Sequence, residues 1–329
     1  MTLGKSKLNY TAVTGFFEHD AQPGPPFLAT TLPGLGLIDQ VYETDEEFDP
    51  QREKTAWERF AHYLNHLNRP GSRAVYKLLY AARHGQGFHN VMEAEVGTAF
   101  WESHWAKLDG NDKMTWADAR LTAAGIRQAD DMKAFWAAAA ANLKLPLPRR
   151  HYTSPLARCL ETCERAFAGL TLPPSSATAG EVQVQVQPPP PPPPPPFEPL
   201  VKELLRERLG IHTCDRRRTG SWIRSNFPCF ELEPRFAEED GLWRSDVRET
   251  LEEHVVRVEG FLDDVFSSHE VVLPIVSVTA HCGTFEALCR LIGHPEVKSA
   301  PGSIVPFLVK AKAVVGFDEG SVDGSRIAN

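Results

Sequence analysis

Long apolar runs are missing from this chain. Nowhere in its 329 residues is there the roughly 18-residue apolar stretch that a membrane helix needs. Cysteine is scarce: Cys159, Cys163, Cys214, Cys229, Cys282 and Cys289 are all there is, and no two form a CxxC pair. That excludes a disulfide-built scaffold and a paired-thiolate zinc site, and it reads as buried reduced thiols. The opening residues, MTLGKSKLNYTAVTGFFEHD, have no apolar core of the kind a secretory leader carries. A cytoplasmic location is therefore the default expectation, with a nuclear one left open. Positive charge is also short. The formal net charge of -8 argues against a general nucleic-acid binder, which needs a broad basic surface. A small anionic substrate is not excluded, because a local group of arginines suffices to hold it.

What is present suits a layered α/β protein. Residues 1–74 read as an N-terminal extension packing on the domain. Pro23, Pro25, Pro26 and Pro33 break its early part, and an amphipathic helix over 53–67 carries Trp57, Phe60, Tyr63 and Leu64 at helical spacing. The run AVYKLLYAA at 74–82 is short, apolar and aromatic-rich, which predicts a buried strand ending at Arg83-His84-Gly85. Thr122 suits a helix N-cap, and the alanine-rich stretch after it predicts a helix to about residue 142. A strand over 149–153 and a helix opening at Ser154-Pro155 follow. Helices are predicted over 198–209, 249–266 and 283–292, and a strand over 275–280 that ends at His281. Residues 75–310 form the expected domain and 311–329 a C-terminal tail. The alternation implies a three-layer α/β/α sandwich with a mostly parallel central sheet. Ligands in such sheets bind beyond the carboxyl ends of the strands, where His84 and His281 both fall.

Residues 171–199 differ in kind. They end in nine consecutive prolines, from Pro188 to Pro196, which can join neither a helix nor a central strand. This segment reads as a disordered surface insertion. It is also a candidate ligand for an SH3- or WW-type domain.

His84 lies in a strand-to-loop turn between an arginine and a glycine. Arginine can hold a phosphate through two parallel hydrogen bonds, and glycine lets the backbone approach it closely. A histidine in such a pocket can accept a phosphoryl group that water later removes. No metal is expected: His84 and His89 are five residues apart, not the four that share a helical face. No cofactor is implied.

The triplet does not stand alone. LLYAARHGQGFHN from Leu78 to Asn90, the helix start at Leu121-Thr122, the stretch YTSPLARCLET from Tyr152 to Thr162, and VTAHCGT from Val278 to Thr284 occur in order. Together they resemble the histidine phosphatase superfamily, with its phosphoglycerate mutase-like fold. Glu203-Leu204-Leu205-Arg206-Glu207 and the segment from Gly210 to Asp215 are similar to the fungal and plant phosphoglycerate mutase-like branch. The resemblance implies that His84 attacks phosphorus and that Arg83, Arg158 and His281 surround the transferred group. It implies added hydrogen bonds from Asn90 and the Gly283 backbone, and Glu207 as the acid that protonates the leaving oxygen. Gly210 follows Glu207 after three positions where the family has four, so Glu203 stands as the reserve. The run Arg216-Arg217-Arg218, with Arg206 and Arg208, either binds a second anionic group or pairs with acids such as Glu238, Glu239 and Asp240.

The expected reaction is hydrolysis of a small phosphorylated metabolite. Three alternatives stand beside it: a phosphoglycerate mutase-type transfer, a diphosphate hydrolase acting on a biosynthetic intermediate (isoprenoid or secondary-metabolite, for example), and a non-catalytic interaction module. The segment between the second and third motifs does not resemble that of the mutases, which favours hydrolysis. Trp101, Trp105 and Trp116 either wall the pocket or pack against the sheet.

Overall fold

The structure is a computed structural model, and it describes residues 7–21, 28–170, 197–267 and 273–314. The proline run therefore lies outside the described residues. Its strands are β1 (Leu8–Ala12), β2 (Leu28–Ala29), β3 (Val75–Arg83), β4 (Arg150–Thr153), β5 (Leu200–Val201), β6 (Glu231–Leu232), β7 (Ile275–Ala280), β8 (Lys298–Ser299) and β9 (Ile304–Ala313). Its helices are α1 (Asp45–Phe48), α2 (Ala56–Leu67), α3 (Phe88–Val96), α4 (Thr98–Ser103), α5 (Ala123–Leu143), α6 (Ala157–Phe167), α7 (Gly220–Asn226), α8 (Leu251–Val265) and α9 (Cys282–Ile292).

Seven strands form the main sheet in the order β1-β9-β3-β7-β4-β5-β6. From β3 to β6 every pairing is parallel, while β9 runs antiparallel to both β3 and β1. The side-chain period of two along β3 sorts the core. Leu79 and Ala81 join one apolar cluster with Phe261 and Leu262 of α8 and Phe285 and Leu288 of α9. Leu78, Tyr80 and Ala82 join the opposite cluster with Trp57 and Phe60 of α2, Trp136 of α5 and Leu160 of α6. The result is the three-layer α/β/α sandwich with a mostly parallel sheet that the alternation of elements implies.

The helices carry the caps their sequences encode. Thr55, Thr122 and Thr250 each accept a backbone N–H in the first turn of the following helix, and Thr55 and Thr250 do so in reciprocal boxes with Glu58 and Glu253.

Three readings need correction. Residues 198–209 are not a helix. Leu200 and Val201 pair with Tyr152 and Thr153, and a single 3-10 turn over Glu203–Leu205 follows. Strand pairing at the sheet edge overrides the helical preference of Glu-Leu-Leu-Arg-Glu. The helix after Ser154-Pro155 opens two residues later, at Ala157, with Leu156 as its cap. Finally, β1 and β9 were not among the expected strands, and β9 carries Pro306, a residue that ordinarily argues against an interior strand. Pro306 lies opposite Tyr80 of β3 but beyond the stretch of β9 that β1 covers, which begins at Val309. The proline thus sits where one side of β9 has no ladder to lose.

The tryptophans of 101–116 pack on one another. Trp101 and Trp105 each meet Trp116 edge-on, with ring centroids 5.8 and 6.0 Å apart, in a small satellite core with Met92 and Cys214.

Candidate active site

β3 and β7 are adjacent and parallel, so their carboxyl ends deliver His84 and His281 side by side. The His84 N–H donates to the Ala280 carbonyl at 3.1 Å, and the two rings lie 5.1 Å apart. His84 Nδ1 is 2.7 Å from the Gly85 carbonyl oxygen. A carbonyl only accepts, so Nδ1 carries the proton and Nε2 keeps its lone pair. Burial pushes the His84 imidazole well below its usual range, and the charges of Arg158 and Arg83 push it further the same way. The ring is therefore held in its neutral form.

Gly85 is required by space. A Cβ there would overlap the Gly125 carbonyl, and one on Gly125 would overlap the Gln86 backbone. The turn after β3 thus lies directly on the first turn of α5, held by Thr122 N to Gln86 O at 2.9 Å and Thr122 Oγ1 to Gln86 Oε1 at 2.8 Å. From α6, Thr162 Oγ1 accepts the Gly85 N–H at 3.0 Å and donates to the Arg158 carbonyl at 2.7 Å.

The other expected residues gather around this point. Arg158 is 1% exposed and donates to the Cys214 carbonyl at 2.6 Å and Asp215 Oδ1 at 2.9 Å. Arg83 donates through Nη1 to the Ser299 carbonyl at 2.6 Å. In both arginines Nε is buried without a partner. His281 is fully buried, with Nε2 2.8 Å from Ser154 Oγ, and burial followed by the Arg158 charge holds it neutral. Asn90 caps its own turn, accepting the Gly87 N–H on Oδ1 at 3.0 Å, which leaves its amide N–H groups for another acceptor.

Glu207 lies against the N-terminus of α9. It accepts the Gly283 N–H at 3.1 Å and the Arg208 N–H at 2.9 Å. The Gly283 amide, expected to reach the phosphate, is held by this carboxylate. A side chain at Gly283 would overlap it, which explains the glycine. Glu203, the reserve, has both oxygens engaged, by Arg217 Nε at 2.5 Å and Arg206 Nη1 at 3.3 Å. It belongs to a different cluster.

Sequence reasoning passed over His89, considered only as a metal ligand. Its ring lies 5.5 Å from that of His84, and its buried Nδ1 has no partner. Burial and then the Arg158 charge hold it neutral too. Asp215 was also missed as the anchor of Arg158. It is 2% exposed and further paired with Arg248 at 2.8 Å. The available signal was the placement of His89 inside the Arg83–Asn90 motif. For Asp215 the signal was its place in the Gly210–Asp215 segment, but its pairing with Arg158, 57 positions away, was not legible.

The site thus sets a neutral imidazole with a free Nε2 among two arginines and two further neutral histidines, beyond the carboxyl ends of parallel strands. No family model matches the chain. Known relatives do. A probable phosphoglycerate mutase of Arthroderma benhamiae is 41% identical over 305 residues, covering 92% of this chain and 84% of the relative. Phosphoglycerate mutase-like protein 1 of Arabidopsis thaliana is 33% identical, over 68% of this chain and 75% of its own length. A probable phosphoglycerate mutase of Saccharomyces cerevisiae is 29% identical, over 71% and 79%. Among solved structures, a phosphoglycerate mutase from Thermus thermophilus aligns over 70% of this chain and 91% of its own, at 20% identity and a TM-score of 0.35. On the strength of the first two relatives, the chain belongs to the histidine phosphatase superfamily. Within it, the chain falls in the phosphoglycerate mutase-like group of fungi and plants.

Proposed function

We propose that the protein is a phosphatase that hydrolyses a small phosphorylated metabolite through a phosphohistidine at His84, without a metal. The observation that carries this reading is the Nδ1 to Gly85 carbonyl bond, which leaves Nε2 as the nucleophile. The phosphoryl group enters between Arg83 and Arg158, whose unpartnered Nε groups it satisfies. His84 Nε2 attacks phosphorus in line while Glu207 gives a proton to the leaving oxygen. His281, Asn90 and His89 hold the equatorial oxygens. Water, deprotonated by the same Glu207, then displaces the histidine and releases phosphate.

Hydrolysis is preferred to a mutase transfer because a mutase must also hold the second anionic group of its substrate. The arginine run that offered such a site is engaged elsewhere: Arg216 with Asp109, Arg217 with Glu203 and Arg218 with Asp118. The names of the fungal relatives favour the second reading, transfer between positions of phosphoglycerate.

The deciding experiment follows phosphate release from a panel of phosphomonoesters and diphosphates in excess chelator, beside interconversion of the phosphoglycerates. Wild type is expected to release phosphate and to form an acid-labile, base-stable phosphoprotein. His84→Ala should lose both, with a fall of at least about 10⁴-fold in turnover. Interconversion without phosphate release would replace hydrolysis by the mutase reading. Release that survives His84→Ala would remove the histidine mechanism itself.

A further inference from the structure

We propose that His19 Nε2, Asp20 Oδ1 and His294 Nε2 form three corners of a tetrahedral, zinc-class metal site, with water at the fourth. This goes beyond the phosphatase reading and does not depend on it. His19 and Asp20 belong to the 3-10 turn Glu18–Ala21, and His294 follows the last turn of α9. That is the opposite end of α9 from His281 and Gly283, so the site is separate from the phosphate pocket. The ligand atoms all lie within 4.8 Å of one another. Asp20 Oδ1 is 3.1 Å from His294 Nε2 and 3.7 Å from His19 Nε2. Ligand atoms about 2.0–2.1 Å from a tetrahedral zinc stand about 3.3 Å apart, so small shifts would complete the geometry.

The outer contacts orient each group as a ligand. Metal-bound histidines characteristically donate their second nitrogen to a carbonyl or carboxylate. His294 Nδ1 donates to the Pro295 carbonyl at 2.7 Å. The Pro306 carbonyl lies near the His19 ring and, since the buried Nε2 has no partner among the described residues, is the acceptor available to Nδ1. Asp20 Oδ2 accepts three backbone N–H groups, from Gly15, Phe16 and Phe17, at 2.8 to 3.0 Å. That fixes the carboxylate and turns Oδ1 toward the imidazoles. Phe307 packs edge-on to both rings, at 5.7 and 5.1 Å. The three side chains are 4, 5 and 2% exposed. The buried Nε2 of His19 has no hydrogen-bond partner among the described residues and faces Asp20 Oδ1, which His294 Nε2 already meets at 3.1 Å, so a bound cation would join all three atoms. A second grouping, His212, Cys214 and Asp215, fails on the same physics. Its carboxylate is already paired with Arg158 and Arg248, whose charges repel a cation.

The test uses the full-length protein stripped with chelator, then titrated with cobalt(II) and with zinc. Wild type is expected to bind about one ion per chain, with the visible bands of four-coordinate cobalt. Its Tm should rise by roughly 3–5 °C at zinc about one hundred times Kd. His19→Gln and His294→Gln should each weaken binding by at least about 100-fold. Asp20→Asn, which keeps one oxygen for the backbone N–H groups, serves as the third variant if either glutamine protein does not fold. Absence of stoichiometric binding by wild type would overturn the proposal. So would binding that survives these substitutions unchanged.

Discussion

The pocket around His84 and the arginine-rich segment behind it are both rich in cationic side chains, yet they handle charge differently. In the segment, every arginine meets a carboxylate or carbonyl, although the Nε groups of Arg206 and Arg218 have no hydrogen-bond partner among the described residues. Arg206 pairs with Glu203 and Asp240, Arg217 with Glu203 and four backbone carbonyls, and Arg257 with Glu249. In the pocket, Arg158 shares Asp215 with Arg248, but among the described residues Arg83 meets only a backbone carbonyl through its guanidinium, and three neutral histidines stand beside it. Cations matched by carboxylates support structure, whereas Arg83, without one, has binding capacity left for an anion.

The largest expected effect separates the two regions by pH. Histidines held neutral in the fold take up protons on unfolding, so their contribution to stability is present above about pH 6.5 and is lost as the pH falls below it. His84, His89 and His281 all have lowered values, and burial also pushes His151 and His254 down to about 4. Each adds a slope of up to about 1.4 kcal/mol per pH unit. Asp118 works the other way: burial raises it to about 6, so it offsets part of the loss between its ordinary carboxylate range and that pH. The arginine network should fail only at lower pH. Burial opposes ionisation of Asp215 and Asp240, but Arg248 and Arg158 around the first, and Arg206 at the second, outweigh it and lower both. Their contribution is kept above about pH 4 and lost below it. Urea unfolding from pH 8 to 3 should therefore show a first decline starting near neutrality. A single decline beginning only near pH 4 would contradict the neutral-histidine pocket.

Arg206→Ala comes next. It strands Asp240 and part of Glu203 in the interior, and should cost about 3–5 kcal/mol in denaturant unfolding. Glu207→Gln should leave stability almost unchanged and lower kcat by about 10²–10³-fold on alkyl phosphates. The loss should be far smaller on aryl phosphates, whose leaving groups need no proton. Equal losses on both substrates would deny Glu207 the role of acid. Smallest is Arg216→Ala. Its pair with Asp109 is exposed, with the side chains 40% and 63% accessible, so thermal unfolding should report a change below about 1 kcal/mol, and turnover should hold.

Much of this was legible in the sequence, for a local reason. Strand-end histidines, Arg-His-Gly and threonine caps are short-range signals, and β7 was read to the residue. His84, Arg83, Arg158 and His281 do meet because parallel neighbours in a sheet bring their carboxyl ends to one edge. The misreadings share a cause. Residues 200–201 are a strand because β4 lies beside them, β9 tolerates Pro306 because β1 stops short of it, and the arginine run is neutralised by residues 14 to 107 positions away in the chain. The sequence by itself determined the layered fold and the family, and it singled out His84 at a strand end, since those depend on periodicity and on motifs a few residues long. Which nitrogen of His84 is free, which arginines remain open to an anion, and the meeting of His19 and Asp20 with His294 were decided by tertiary structure. Burial and long-range pairing set protonation and partners, and neither is encoded in any one segment.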